Sequence, residues 1–140
     1  MKASKNCTDI IKRFEGLYLK SYLCPAGKLT IGYGHTRDVK PGDVINEFQA
    51  DIFLSEDLKT VEDNLNRLDL PINQNQFDAL CSLVFNVGIG AFLKSKMYAK
   101  IKAGDPTAPD EFLDWTKSGG KVLPGLVIRR KAEYELFNKT

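Results

Sequence analysis

Cys7, Ile10, Ile11, Phe14 and Tyr18 recur at helical spacing, with Asp9, Lys12 and Arg13 off that stripe, which predicts an amphipathic helix over 4–15. Gly16 ends it. From Lys20 to Thr36 the pattern changes to aromatic and β-branched residues punctuated by Pro25-Ala26-Gly27, Gly32 and Gly34. This predicts a small β-hairpin or three-stranded sheet, closed by a turn at Pro41-Gly42-Asp43. Over 46–68 the helical period returns through Phe48, Ile52, Leu54, Leu58, Val61, Leu65 and Leu68. At a rise of about 1.5 Å per residue, such a helix is over about 30 Å long and suits a connector between two lobes.

Pro71 breaks the pattern, and Asn73 with Gln76 three residues on resembles a capping box opening the next helix. Phe77, Leu80, Cys81 and Val84 mark its buried face. Shorter helices are expected at about 95–103, closed by Gly104, at 107–117, begun near Pro106 or Pro109, and at 125–138 after Pro124. A helix and small sheet followed only by helices predicts an α+β fold. We expect one domain, with an N-terminal lobe over about 1–58 and a helical C-terminal lobe over about 59–140.

Composition adds little to this picture, but charge and cysteine content add something. The net charge of +2 hides an asymmetry: residues 1–37 carry seven Lys/Arg against two Asp/Glu, 38–78 three against ten, 79–93 none, and 94–140 ten against six. Basic ends that flank an acidic middle would draw a polyanionic partner, although single charge runs are more often solvated helix faces. Cys7, Cys24 and Cys81 cannot all pair with one another, and their spacing matches no zinc pattern, which points to folding in a reducing compartment. The N-terminal stretch has no apolar run long enough for an export signal, and nowhere do 18 apolar residues follow one another. Synthesis in the cytoplasm without a stable membrane anchor is expected.

Candidate chemistry gathers in FEGLYLKSYLCPAGKLTIGYGHT, where eight residues separate Glu15 from Cys24 and five separate Cys24 from Thr30. Glu15 is predicted at the last turn of its helix, where unpaired carbonyls carry partial negative charge and favour a neutral carboxylic acid. Such an acid can protonate a leaving sugar oxygen. Taken alone, a Glu before a Gly is usually surface decoration, a free Cys is usually a small buried hydrophobe, and a strand Thr is usually there for packing. A thiol ordinarily titrates near 8.5, so Cys24 has three possible roles: base toward water, nucleophile, or water-positioning group. The Thr30 hydroxyl both donates and accepts, which suits holding a water.

That spacing resembles the catalytic signature of phage-type lysozymes, the endolysins of glycoside hydrolase family 24, in which a Glu, an Asp or less often a Cys, and a Thr converge on a glycosidic bond. FNVG at 85–88, KIKAGD at 100–105 and DWTKSGGKVLPGLVIRRKAE at 114–133 resemble the lambdoid members nearly end to end. The resemblance implies a lysozyme-like fold and hydrolysis of the β-1,4 bond between N-acetylmuramic acid and N-acetylglucosamine in bacterial peptidoglycan, leading to host cell lysis. It assigns catalysis to Glu15, Cys24 and Thr30, with Cys24 in place of the usual Asp. Tyr33, Gly34, Phe85, Asn86 and Arg130 are the candidate substrate-binding residues. Gly32 joins them as possible cleft floor, since glycine lets a ligand approach the backbone.

In related enzymes an Arg of the last helix approaches the catalytic Glu, and either Arg129 or Arg130 fills that segment. His35 reads as a structural hydrogen-bonding residue, and Trp115 as core rather than sugar platform. No metal, organic cofactor or nucleic acid is implied; the protein is expected to be a monomer released to the wall through a separate holin. Two other functions remain: a peptidoglycan-binding module that has lost catalysis through replacement of the acid at position 24, and a cysteine-nucleophile hydrolase using Cys24 and His35.

Overall fold

The computed structural model describes all 140 residues. The first helix, α1 (Lys5–Glu15), buries Cys7 and Ile11 and stops at Gly16, whose φ of 75° turns the chain and whose N–H bonds the Lys12 carbonyl. Ser4 precedes it without capping it. Its amide donates instead to Asp78 Oδ1 at 2.8 Å and its hydroxyl to Asp78 Oδ2, tying the start of the chain to a later helix.

Strands β1 (Tyr18–Leu23) and β2 (Leu29–Gly32) form an antiparallel hairpin around the turn at Pro25–Lys28. The expected third strand shrinks to single bridges, Lys20 with Val44 and Ile31 with His35. Helix α2 (Glu47–Arg67) opens with a complete capping box, Asn46 with Gln49, at 2.8 and 3.0 Å. It buries Ala50, Leu54, Leu58, Val61 and Leu65, one stripe at steps of three and four. Phe48 and Ile52, expected on that stripe, lie off it and are exposed.

Helix α3 (Gln74–Val87) also opens with a capping box, Asn73 with Gln76. Every residue from Phe77 to Val84 is buried, so α3 is enclosed on all sides, with α1, α2 and the last helix packed against it. The core is therefore organised around α3. Two short helices follow, α4 (Ile89–Leu93), which the sequence pattern did not suggest, and α5 (Lys96–Lys102).

The helix expected over 107–117 is instead a 3₁₀ helix over Ala108–Asp114. Pro109 in its first turn and its length of seven residues suit the tighter, shorter form. The chain then makes a second small hairpin, β3 (Lys117–Ser118) with β4 (Lys121–Val122). Gly119 and Gly120, at φ 59° and 80°, make its two-residue turn, which needs positive φ at both positions. Pro124 opens α6 (Pro124–Phe137), which packs on α3 and the 3₁₀ helix. Trp115 is partly buried against the core. All three cysteines are free, with Cys7 and Cys81 buried and Cys24 partly exposed. No helix is long and apolar enough to cross a membrane.

Candidate active site

Glu15 is the last residue of α1, and the turn at Gly16 leaves its side chain at the helix end, facing the Gly-rich segment. A Cβ on Gly34 would lie 2.7 Å from Glu15 Oε1, and Gly34 has a φ of 75°, so both space and backbone conformation demand glycine there. Glu15 Oε2 accepts from Arg129 Nη1 at 2.7 Å. The carboxyl group is thereby fixed from two sides.

Arg129 is itself held in place. Its Nη2 donates to the Ser82 carbonyl at 3.2 Å and its Nε to Glu133 Oε2 at 3.4 Å. The same Glu133 oxygen accepts from the Ser82 hydroxyl at 2.5 Å, and Glu133 Oε1 accepts from Arg130 Nη1. Arg129, Arg130, Glu133 and Ser82 are all buried. Charge in so dry a setting persists only when paired and hydrogen-bonded, as it is here.

The arginine at Glu15 is therefore Arg129. Arg130, expected against substrate, is fully buried, and its remaining donors go to the Trp115 carbonyl at 2.9 Å and to Asn86 Oδ1. Consecutive helix residues point about 100° apart, so one neighbour reaches the carboxylate while the other turns inward. Arg130 and Asn86 border a hollow of about 370 Å³ beside Trp115 and β3. Asn86 is exposed there, and Phe85 packs half-buried against the core.

The hairpin supplies the second cluster. Cys24 N–H bonds the Lys28 carbonyl at 2.9 Å and its carbonyl accepts from Gly27 N–H at 2.8 Å, which closes a tight turn just past the end of β1. Hydrogen bonding from the Lys28 backbone holds the Cys24 thiol below the ordinary cysteine range; burial opposes it, and the Thr30 hydroxyl and the Ala26 backbone add smaller effects in the lowering direction. Thr30 is buried, and its hydroxyl lies 3.0 Å from the Lys28 carbonyl. With a single proton, that hydroxyl can serve the Lys28 carbonyl or a thiolate on Cys24, but not both at once.

Tyr33, also expected to meet substrate, is buried, with Lys12 Nζ 5.3 Å from its ring centroid. It sits in the turn between Gly32 and Gly34, whose φ values of 65° and 75° bend the chain so that the ring meets Lys12 of α1. His35 is buried, stacks on Phe53 with centroids 4.2 Å apart, and has Nδ1 2.8 Å from Asp57 Oδ2. Its place is structural. A hollow of about 780 Å³ between the chain start, α1 and α2 contains none of Glu15, Cys24 or Thr30.

Sequence reasoning missed Ser82 and Glu133, which hold Arg129. The signal was present: Glu133 stands four residues after Arg129 and three after Arg130, spacings that place all three on adjoining helix surface.

Comparison with known proteins gives the family. The phage lysozyme family matches residues 12–133. The chain is 48% identical over 143 residues to an endolysin of Acyrthosiphon pisum secondary endosymbiont phage 1, covering 98% of each protein. Among solved structures it resembles the muramidase domain of SpmX from Asticaccaulis excentricus, with a TM-score of 0.92, 37% identity and 99% of each chain covered. It also resembles the endolysin of the Escherichia coli phage FAHEc1, with a TM-score of 0.89 at 34% identity, covering 99% of this chain and 94% of that one. The chain belongs to the phage lysozyme family.

Proposed function

We propose that Glu15, Cys24 and Thr30 carry out the reaction of a muramidase on the glycan strands of bacterial peptidoglycan. The protein is an endolysin, a glycoside hydrolase that degrades the cell wall and so lyses the host. The observation that carries the residue assignment is the pairing of a carboxyl fixed by Arg129 and Gly34 with a thiol and hydroxyl sharing one hairpin end.

Arg129 occupies Glu15 Oε2, which leaves Oε1 to hold the proton destined for the leaving glycosidic oxygen. As that bond breaks, a water held by Thr30 attacks the anomeric carbon and gives its proton to the Cys24 sulfur. The lowered pKa of the Cys24 thiol favours the thiolate and so supports a base over an inert thiol. The Cys24–His35 alternative has less support, since the His35 ring is committed to Asp57 and Phe53.

The same reading takes residues 1–58 and 59–140 as two lobes about the substrate. It includes cytoplasmic synthesis, action as a monomer and release to the wall through a separate holin. Product analysis on purified peptidoglycan tests the function: new reducing sugar ends are expected, without new amino groups. Amino groups instead would point to cleavage of the peptide stems, and binding with neither product would point to a wall-binding module.

A further inference from the structure

Tyr18 and Tyr22 stand four residues apart on β1, yet their ring centroids are 4.3 Å apart at an interplanar angle of 37°. A regular strand would separate such residues by about 13 Å. The register explains the difference: β1 advances from Tyr18 to Tyr22 while its partner goes only from Gly32 to Thr30. The extra residues bulge and bend the strand, and bulges re-aim side chains, often beside functional sites.

The bend brings the two rings together next to the candidate catalytic groups. Tyr22 sits directly across from Thr30, and Cys24 follows two residues later, so the three project from one face of the hairpin. The ring of Tyr18 lies under Gly16, where an added Cβ would meet Cε2 at 3.4 Å, one residue from Glu15. Burial holds the Tyr22 phenol above its ordinary range, and Tyr18, Glu15 and Cys24 add to the effect in that order. Tyr22 thus remains a neutral donor close to both candidate catalytic residues. Tyr18 is 45% exposed, so the outer side of its ring is open to a ligand.

We propose that Tyr18, backed by the ring of Tyr22, offers its outer face as an aromatic platform that receives the apolar face of one N-acetylhexosamine ring of the glycan strand, beside Cys24 and Thr30. A pyranose ring has a face of C–H groups and a rim of hydroxyls. A tyrosine pair matches it with an apolar ring surface and two phenolic hydroxyls, the combination that favours tyrosine wherever a contact is dry on one side and wet on the other. The proposal rests on the glycosidase reading for its choice of ligand, but its test measures binding alone.

The probe is a chitin oligosaccharide of six N-acetylglucosamine units, titrated calorimetrically into protein carrying Glu15→Gln to prevent cleavage. Adding Tyr18→Ala should weaken binding roughly tenfold, the scale of one well-placed aromatic contact. Tyr18→Phe, which keeps the ring, should stay within about twofold of the parent, and Tyr18→Leu, apolar but not planar, should resemble Ala. Melting temperatures of the Phe and Leu variants near that of the parent exclude a folding effect. Equal affinity for the Ala and parent proteins overturns the platform, as does absence of binding by the parent. A platform that passes in a protein releasing no reducing ends would sink the hydrolase reading while leaving this one standing.

Discussion

The turn that carries Cys24 and the cluster that carries Arg129 are both polar constructions, one wet and one dry. Around Cys24 the chain is exposed from Pro25 to Lys28, and the thiol is served by backbone groups and one hydroxyl. Around Arg129 the cluster is dry: two buried guanidinium groups share the buried Glu133 carboxylate, which also takes the Ser82 hydroxyl, and only Glu15 and Asn86 at its edge reach solvent. The wet turn supports a charge with dipoles that water would otherwise supply, so changes there should alter rate and leave the fold intact. The dry cluster holds charges that nothing else can solvate, so changes there should alter the fold first.

The sharpest way to break this contrast is Glu133→Ala. It leaves Arg130 buried without a carboxylate and Arg129 with Glu15 alone, and the expected cost is about 3–5 kcal/mol of unfolding free energy. Urea denaturation followed by circular dichroism measures it. A loss below about 1 kcal/mol would mean that water reaches the cluster after all.

Glu15→Gln comes next in size. The amide oxygen still accepts from Arg129 and the two side chains are nearly isosteric, so the denaturation midpoint should hardly move. Muralytic rate should fall by about 10²-fold or more, because the only proton aimed at the leaving oxygen is gone. Near-normal turbidity clearing by a folded Glu15→Gln protein would remove Glu15 from the acid's role.

Gly34→Ala tests the seam between the two regions. The new methyl would press on Glu15 Oε1 from 2.7 Å at a backbone φ of 75°. Strain of about 1–3 kcal/mol is expected, together with a displaced carboxyl. Activity should therefore drop further than stability. Equal fractional losses in the two would show that Gly34 matters only to the turn.

The same wet and dry distinction explains what the sequence made legible. Helices α2 and α3 were readable because each has a local start signal, Asn46 with Gln49 and Asn73 with Gln76, followed by a periodic apolar stripe. Phe48 and Ile52 were misplaced because apolar character does not say which side of a helix meets a neighbour. Strands β3 and β4 have two residues each, too few for any period to register. At the site, Glu15, Cys24 and Thr30 are close in sequence and their mutual placement follows from one turn and one hairpin. Arg129 lies 114 residues from Glu15, so its selection over Arg130 depends on the rotation of α6 about its axis, which only packing sets. Burial of Tyr33 and Arg130 is likewise a property of their neighbours.

Cys24 offers the gentlest and most specific test, because its environment can be titrated without touching the fold. In the native protein one thiol in three should react with an alkylating reagent, since Cys7 and Cys81 are buried. Contact with Cys7 and burial also push the Cys81 thiol up, away from the reactive form. For Cys24 the sign runs the other way: its amide and hydroxyl partners favour the thiolate, so alkylation should reach half its plateau below the pH of a free cysteine, about 8.5. Thr30→Val removes the hydroxyl and should move that midpoint upward without exposing the other two thiols. A midpoint unmoved by Thr30→Val would mean that the hydroxyl stays on the Lys28 carbonyl and never serves the sulfur. Rates then distinguish what the thiolate does. As a base toward water, Cys24 is replaceable by a carboxylate, so Cys24→Asp should match or exceed the parent, whereas Cys24→Ser keeps substantial activity only if the position does no more than hold water. As a nucleophile it is not replaceable by serine, because an unactivated hydroxyl attacks far more slowly, and Cys24→Ser would be nearly inactive. A glycosyl adduct on Cys24, seen by mass spectrometry with a slow substrate, would decide for covalent attack. Its absence, with an active Cys24→Asp protein, leaves the sulfur as the group that takes a proton from water.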